Sequence, residues 1–257
     1  MGFLSAMFLL AIPVMMHAQF RITQPAPLPD VLGPAPKIWY LGLIGGLNQN
    51  WHDGTFQTTL CSCTVKDGTG KGMYVGVELA HPLNEDVAVA LRVMYDDKRA
   101  QYTSKVTKEA LAYDESNGTY FPVIADYENQ LDVRLSYLVI QPVIEWTPLW
   151  NFYVTAGPAF APKLTSTYTY KQKLLSQDFV YLNSETDETN LEEDGDIASP
   201  VALRIDVRVG IGYNLKLGKT TYFAPEVSYG YPLTKIAGTD DWFANTLHVV
   251  GVLKIRL

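Results

Sequence analysis

The sequence predicts an all-β fold: an eight-stranded antiparallel up-and-down transmembrane β-barrel with short periplasmic turns and long extracellular loops. Three observations predict it. Between Val201 and Leu217 every odd position from Val201 through Val207 and Val209 to Leu217 is apolar, while the even positions carry Arg204, Asp206, Arg208, Gly210, Gly212, Asn214 and Lys216. A two-residue period of that contrast suits hydrocarbon on one side and a polar interior on the other. The strand candidates are joined by connections that alternate between long and short, which in a meander puts the loops at one end and the turns at the other. Aromatic residues gather near the strand ends, where indole and phenol rings settle at the headgroup level.

Composition sets the bounds. The 257 residues are 47% hydrophobic and 18% charged, enough apolar surface for one large β domain. A net charge of −7, without a basic stripe or a stacking motif, excludes nucleic acid as a partner. Residues 1–18 read as a signal peptide: the apolar run Phe3–Met16 is short, and His17-Ala18 ends on a small residue before Gln19. Residues 19–37 form a Pro-rich periplasmic arm, in which Pro25, Pro27, Pro29, Pro34 and Pro36 favour an extended chain and exclude helix. Residues 38–257 form the barrel domain.

Within it the strand candidates are Trp39–Asn50, Gly72–Pro82, Val87–Asp96, Leu131–Trp146, Phe152–Pro162, Val201–Leu217, Thr221–Leu233 and Trp242–Leu257. Val87, Val89, Leu91, Val93 and Tyr95 oppose Ala88, Ala90, Arg92 and Met94. Met73, Val75, Val77 and Leu79 oppose Tyr74, Gly76, Glu78 and Ala80. In the last strand Phe243, Leu247, Val249, Leu253, Ile255 and Leu257 oppose Trp242, His248, Lys254 and Arg256. The fourth candidate has a mixed pattern. Leu131, Val133 and Leu135 are expected to face out, and a bulge near Pro142 is expected to switch the phase, because proline cannot donate to the ladder. The connections Asp97–Gln130 and Lys163–Pro200 are long enough to fold into hairpins that extend the wall or to bind partners.

Several stretches resemble those of a known family. "WYLGLIGGLNQN" (Trp39–Asn50) resembles a G-x-x-G-G-x-N opening strand, and "YLVIQPVIEW" (Tyr137–Trp146) a Y-L-x-I-P strand with one inserted residue, Gln141. "FYVTAGPAFA" (Phe152–Ala161) is similar to Y-x-x-A-G-P. "VGIGYNLKLG" and "PEVSYGYPLTKI" (Val209–Gly218 and Pro225–Ile236) resemble a G-x-G-Y…L-x-Y-x-x-G-L closing hairpin. In this order they are the motifs of the Bacteroidetes/Chlorobi outer-membrane β-barrel domain family, the PorT-like group. The resemblance implies an eight-stranded barrel in the outer membrane of a Gram-negative bacterium. It implies a cell-envelope protein of structural, adhesive or secretion-accessory type, and no reaction.

The interior of a barrel of this size is just filled by side chains. The inward positions predict a lumen charge network of Glu78, Arg92, Asp132, Arg134, Arg204, Asp206, Arg208, Glu226, His248, Lys254 and Arg256, with Gly76, Gly210, Gly212 and Gly230 leaving room for the long arginines. Unpaired charge there is costly, so these groups are expected to pair and close the barrel to solutes; a narrow porin-like channel is the alternative.

No catalytic residue is predicted. A lipid-modifying enzyme needs a His, a Ser and a carboxylate together, and His52, His81 and His248 have no Ser two residues away on their own face. No cofactor and no metal site are predicted. Cys61 and Cys63 lack further ligands for zinc, and the acidic run Ser184–Asp196 lacks the spacing of a calcium loop. The expected partners are outer-membrane lipid and lipopolysaccharide, with an envelope or secretion-complex protein reached through the loops or the Pro-rich arm.

Overall fold

The computed structural model describes residues 38–54, 68–114, 118–175, 190–237 and 241–257. The stretch expected to be a signal peptide, the Pro-rich stretch, Cys61, Cys63 and the first half of the acidic run lie outside the described residues. Eleven strands are present among those described: β1 (Tyr40–Asp53), β2 (Gly68–Pro82), β3 (Val87–Asp97), β4 (Ala100–Asp114), β5 (Thr119–Leu149), β6 (Phe152–Leu174), β7 (Asn190–Asp196), β8 (Leu203–Tyr213), β9 (Leu215–Lys216), β10 (Thr221–Pro232) and β11 (Phe243–Arg256).

Eight of them close a ring, every neighbouring pair antiparallel. The order is β1-β2-β3-β5-β6-β8-β10-β11, and β11 returns to β1 in unbroken register from Tyr40↔Arg256 to Asp53↔Phe243. All eight strand candidates are members of this ring, in order. The long run Val201–Leu217 is divided at Asn214, whose backbone N–H donates to the Asn151 carbonyl, so β9 pairs with β10 separately. Short turns at Leu83–Asp86, Trp150–Asn151 and 217–220 lie at one end. Asn84 ties the first of these with its side-chain oxygen, which accepts from the N–H groups of Asp86 and Val87. Trp150 takes a left-handed backbone (φ 50°) to close the second.

The two long connections fold into hairpins that extend the wall. β4 pairs along the first half of β5, from Ala100↔Val133 to Asp114↔Thr119. β7 pairs with the second half of β6, from Thr167↔Asp196 to Lys173↔Asn190. The halves of β5 and β6 pair with each other, from Leu135↔Ser166 to Tyr127↔Leu174. The result is a four-stranded wall, β4-β5-β6-β7, raised on one side of the ring.

The expected phase switch in β5 does not occur. Tyr137, Val139, Gln141, Val143 and Glu145 continue inward from Leu131, Val133 and Leu135, all of them buried. Pro142 stays on the outer face opposite Leu91. The β5–β6 pairing skips from Ile140↔Phe160 to Ile144↔Ala156, and Pro142 and Pro158 lie between these pairs. The ladders to β3 and β8 run through the prolines unbroken, so both missing donors fall on one seam. The bulge that changes parity is on β6: Ser136 pairs with Thr165 but Tyr137 with Lys163, which leaves Leu164 over, while a second shift, between Trp146↔Val154 and Leu149↔Phe152, puts one extra residue on β5 beside the turn.

The outer surface of the ring is apolar. Leu41, Leu43, Leu47, Met73, Val75, Val77, Leu79, Leu91, Ile140, Ile144, Val154, Val207, Val209, Ile211, Val227 and Val249 are all exposed. Trp39, Trp146, Trp150, Phe152 and Phe223 flank this band at the turn end, and Trp51, Phe160, Tyr229 and Tyr231 flank it at the other. Soluble proteins rarely expose apolar patches beyond a few hundred Å². A continuous apolar belt between two aromatic rims is what lipid solvates.

Candidate functional site

The interior of the ring is the densest concentration of chemistry in the molecule. Side chains on alternate positions converge there because the strand period is two. The charged ones form two layers.

The layer nearer the turns is built on Arg92. Its Nε donates to Glu78 Oε2 at 2.7 Å, and its Nη1 and Nη2 donate to the two oxygens of Glu226 at 2.7 and 2.8 Å, a bidentate pair. Glu78 and Arg92 are directly opposite across β2–β3. Tyr153 Oη donates to Glu226 Oε2 at 3.1 Å. Lys254 Nζ donates to Glu145 Oε2 at 2.7 Å, lies 3.6 Å from Glu78 Oε1, and sits 4.9 Å from the centre of the Tyr153 ring.

The other layer is built on two aspartates. Asp96 accepts from Arg208 Nη2 at 2.8 Å and from Asn48 Nδ2 at 2.8 Å, with Lys98 Nζ at 3.2 Å and His248 Nε2 at 3.4 Å. Asp206 accepts from Arg204 Nε at 2.6 Å and lies 3.3 Å from Arg208 Nη2. Arg208 Nη1 donates to Tyr74 Oη at 2.9 Å, and Arg204 Nη2 donates to the Ala244 carbonyl. A chain of hydrogen bonds then runs from Lys98 Nζ to Thr246, from Thr246 to Asn50, and from Asn50 to Asn48.

These groups balance. Glu78, Glu145, Glu226, Asp96 and Asp206 face Arg92, Lys254, Lys98, Arg204 and Arg208, all of them buried. Removing any one from water costs several kcal/mol, so this equality is what makes a closed ionic interior tolerable. The balance is not local, however. The Arg92 layer holds three carboxylates and two cations; the Asp96 layer holds two carboxylates and three cations.

Above the Asp96 layer the interior changes character. Trp242, Tyr102, Leu131, Val133, Leu135, Ile197 and Ile236 belong to one buried apolar cluster that roofs the lumen. Trp242 Nε1 donates to Tyr102 Oη at 3.1 Å, and the His52 ring lies 5.6 Å from that of Trp242. Farther up the wall, burial and then the Glu193 carboxylate, to which it donates a hydrogen bond, push the Tyr168 phenol up to about 12.

Of the residues expected in the network, the structure brings together Glu78, Arg92, Arg204, Asp206, Arg208, Glu226, His248 and Lys254. Three lie elsewhere. Asp132 and Arg134 are on the outer face of the wall, because β5 keeps its parity and turns Leu131, Val133 and Leu135 inward instead. Arg256 has inward parity, but it is exposed at the turn end, where the last strand passes beyond the lumen. Sequence reasoning missed Asp96, Lys98 and Glu145. Asp96 and Glu145 have inward parity in their strands and could have been found by continuing the alternation; Lys98 lies between strands and carries no periodic signal. Of the four glycines, Gly230 faces Arg208, whereas Gly76 faces Met94, Gly212 faces Tyr153, and Gly210 faces Thr155 and Ser228.

One arrangement resembles hydrolytic chemistry. Asp96 contacts His248, and Ser228 is directly across the ladder from His248. The resemblance fails on geometry, since His248 Nδ1 has no hydrogen-bond partner and all three side chains are buried. His52 is sealed under Tyr102 and Trp242, and His81 stacks on Trp39 while its Nδ1 contacts the Ile38 carbonyl. Among the described residues, no cluster of three or more His, Cys, Asp or Glu is placed to hold a metal.

A closed ring with an ionic interior and an apolar exterior between aromatic rims leaves one architecture. The chain is a membrane-spanning β-barrel of outer-membrane type. No family model matches it, and no curated protein matches it. Among solved structures it is similar to the N-terminal β-barrel domain of Pseudomonas aeruginosa OprF (11% identity, 86% of this chain and 97% of that one, TM-score 0.34). It is similar to outer membrane protein AlkL in lipid bilayers (9%, 91% and 96%, TM-score 0.38) and to the outer membrane protease OmpT of Escherichia coli (7%, 86% and 96%, TM-score 0.33). At such scores these likenesses carry no argument about activity, and the architecture rests on the strand pairing and the belt described above.

Proposed function

We propose that the protein is a non-catalytic outer-membrane barrel that conducts no solutes and acts through the wall β4-β5-β6-β7 that it raises at its long-loop end. The observation that carries this reading is the interior: ten charged side chains paired within the ring, under an apolar roof centred on Trp242. A pore needs continuous water along its axis, and side chains fill a barrel of eight strands. With the lumen occupied, the surface left for recognition is the wall and the loops beside it. Short turns are periplasmic in outer-membrane barrels, so the wall faces outward from the cell. Lipopolysaccharide around its base and an envelope protein on its polar face are the partners proposed.

Purified protein in planar bilayers tests the closed lumen: no stable current is expected, and reproducible single-channel steps would overturn the reading. Crosslinking in intact cells from a cysteine at an exposed wall position such as Thr103 or Gln130 tests the wall. A discrete adduct is expected there, and its absence from all such positions counts against a recognition role. Lipid A of unchanged mass in a deletion strain is expected of a non-catalytic protein; a lost or gained acyl chain would make it an enzyme.

A second reading, a secretion accessory of the PorT type, is favoured by the five motifs from Trp39–Asn50 to Pro225–Ile236. Co-isolation with secretion-machine components from native membranes would support it over the first.

A further inference from the structure

Three cations stand side by side where the lipid-facing surface of the ring gives way to the polar face of the wall. Lys71 and Arg99 fall opposite each other, because the pairs on either side of them, Thr69↔Gln101 and Tyr74↔Asp96, keep one register. Arg99 and Arg134 fall opposite for the same reason, between Asp97↔Ser136 and Ala100↔Val133. All three are exposed and share the outward parity of the lipid face: Lys71 stands above Met73 and Val75, and Arg134 above Leu138 and Ile140. Strands about 4.8 Å apart place the whole row within about 10 Å. We propose that this row is the docking site of one lipopolysaccharide molecule, held by the phosphates of its lipid A. The proposal rests on the reading that the wall faces outward from the cell, and it gives the lipid partner of that reading a defined seat.

The charges point to an anion. Like charges directly opposite on one face of a sheet destabilise it, and the carboxylates nearby answer only part of that cost. Arg99 Nε donates to Asp97 Oδ2 at 3.0 Å. Asp132, one row higher, accepts from Gln101 at 3.4 Å, and Asp196 lies two strands beyond Arg134, past Thr167. Among the described residues Lys71 and Arg134 make no ion pair, whereas Lys235 pairs with Asp241 and Lys171 with Glu192. Arginine sets two parallel N–H groups on phosphate oxygens, and lysine adds a compact point charge.

The surroundings require that the anion be amphipathic. Immediately below the row Met73, Val75, Leu138 and Ile140 offer apolar surface to acyl chains. Immediately above it the outer face of the wall holds a polar hollow of about 510 Å³, lined by Arg134 itself and by Gln101, Thr103, Gln130, Asp132 and Thr169 among others. Amides, hydroxyls and carboxylates exchange hydrogen bonds with sugar hydroxyls. Hydrocarbon, phosphate and sugar, in that order outward from the membrane, are the parts of the glycolipid that fills the outer leaflet.

Native mass spectrometry of the full barrel, refolded in a neutral detergent, tests the site by counting lipid retained per protein. The probes are diphosphoryl lipid A, the same lipid stripped of both phosphates, and phosphatidylglycerol as an anionic lipid without the sugar. Saturable retention of one diphosphoryl lipid A is expected, with each of the other two at least about tenfold weaker. Lys71→Gln/Arg134→Gln, at exposed positions outside the packed interior, should weaken retention about tenfold, the scale of one lost hydrogen bond to a charged group, and Lys235→Gln should leave it unchanged. Equal retention of the dephosphorylated lipid or of phosphatidylglycerol would overturn the proposal. So would a folded Lys71→Gln/Arg134→Gln barrel that retains lipid A like the wild type, or a loss that Lys235→Gln reproduces. A discrete crosslinked adduct at the wall alongside any of these failures would leave the role of the wall standing while this lipid site falls.

Discussion

Strands β5 and β6 each pass through two regions, and the two are built inside out. From Tyr137 to Trp146, β5 turns Gln141 and Glu145 inward and Leu138, Ile140, Ile144 and Trp146 outward. From Leu131 to Leu135 the same strand, in unbroken parity, turns Leu131, Val133 and Leu135 inward and Asp132 and Arg134 outward. On β6 the apolar Val154 and Phe160 face out in the ring, while Thr169 and Lys171 face out in the wall. The difference lies in the solvent. Within the belt the outer surface meets hydrocarbon and the centre holds paired charge; above it the outer surface meets water and the centre is an ordinary apolar core. An alternating pattern therefore reports where apolar surface can go, and which side that is depends on the height of the residue above the membrane.

The largest expected effect breaks the ionic side of this comparison. Arg92→Met removes the guanidinium shared by Glu78 and Glu226, which leaves Glu226 with only the Tyr153 hydroxyl and Glu78 with only Lys254 at 3.6 Å in a tightly packed lumen. A loss of about 3–5 kcal/mol is expected, the range for breaking a buried pair. Urea unfolding of the barrel in micelles or liposomes, followed by tryptophan fluorescence, would measure it. A loss below 1 kcal/mol would mean that the lumen is hydrated enough to solvate carboxylates, and the closed-barrel reading would fail with it.

Opposite substitutions in the two regions sharpen the contrast. Val209→Arg puts a charge on the lipid face near the middle of β8. It should cost about 2–4 kcal/mol in a bilayer and much less in a water-exposed setting. Leu135→Ala, in the apolar core of the wall, removes a side chain that is 1% exposed and should cost about 2–5 kcal/mol. The medium separates the two: thickening the bilayer should change the cost of Val209→Arg and leave that of Leu135→Ala unchanged. If both respond alike, the wall is embedded and the membrane boundary has been drawn too low.

The inversion also explains how much was legible. In β8, which lies wholly in the belt, odd positions are apolar and even ones charged or glycine from Leu203 to Tyr213, so the ring, its strand order and most of the lumen could be read directly. In β5 the alternation changes sign at the membrane surface without any change of parity. Read without the boundary, that sign change looks like a bulge, and Asp132 and Arg134 look like lumen residues. The irregularity that does switch parity, Leu164 in β6, sits two residues after Pro162, where the apolar outer face of the ring gives way to the polar Thr165–Thr169 stretch of the wall, so no alternation marks it. The wall strands β4 and β7 are equally silent, because one face is water-exposed and rich in Thr, Gln, Lys and Glu, as loops are. The roof over the lumen depends on Trp242 meeting Tyr102 across 140 positions of sequence, a contact that no local pattern encodes.

The smallest expected effect tests the outer face of the wall. Arg134→Ala should shift stability by less than about 0.5 kcal/mol, as surface changes away from packed features do. The neighbouring rows supply the reason. Thr169 donates to Asp194 at 2.5 Å, Lys171 pairs with Glu192 at 2.9 Å, and Gln101 donates to Asp132 at 3.4 Å, all in water-exposed positions where exchange with solvent nearly cancels the gain. Were Arg134 inside the ring with the other arginines, the same truncation would cost several times as much. A single unfolding curve therefore decides between the two placements. Near-wild-type stability together with altered crosslinking at Thr103 or Gln130 would mark the face as one retained for recognition, since it contributes little to the fold.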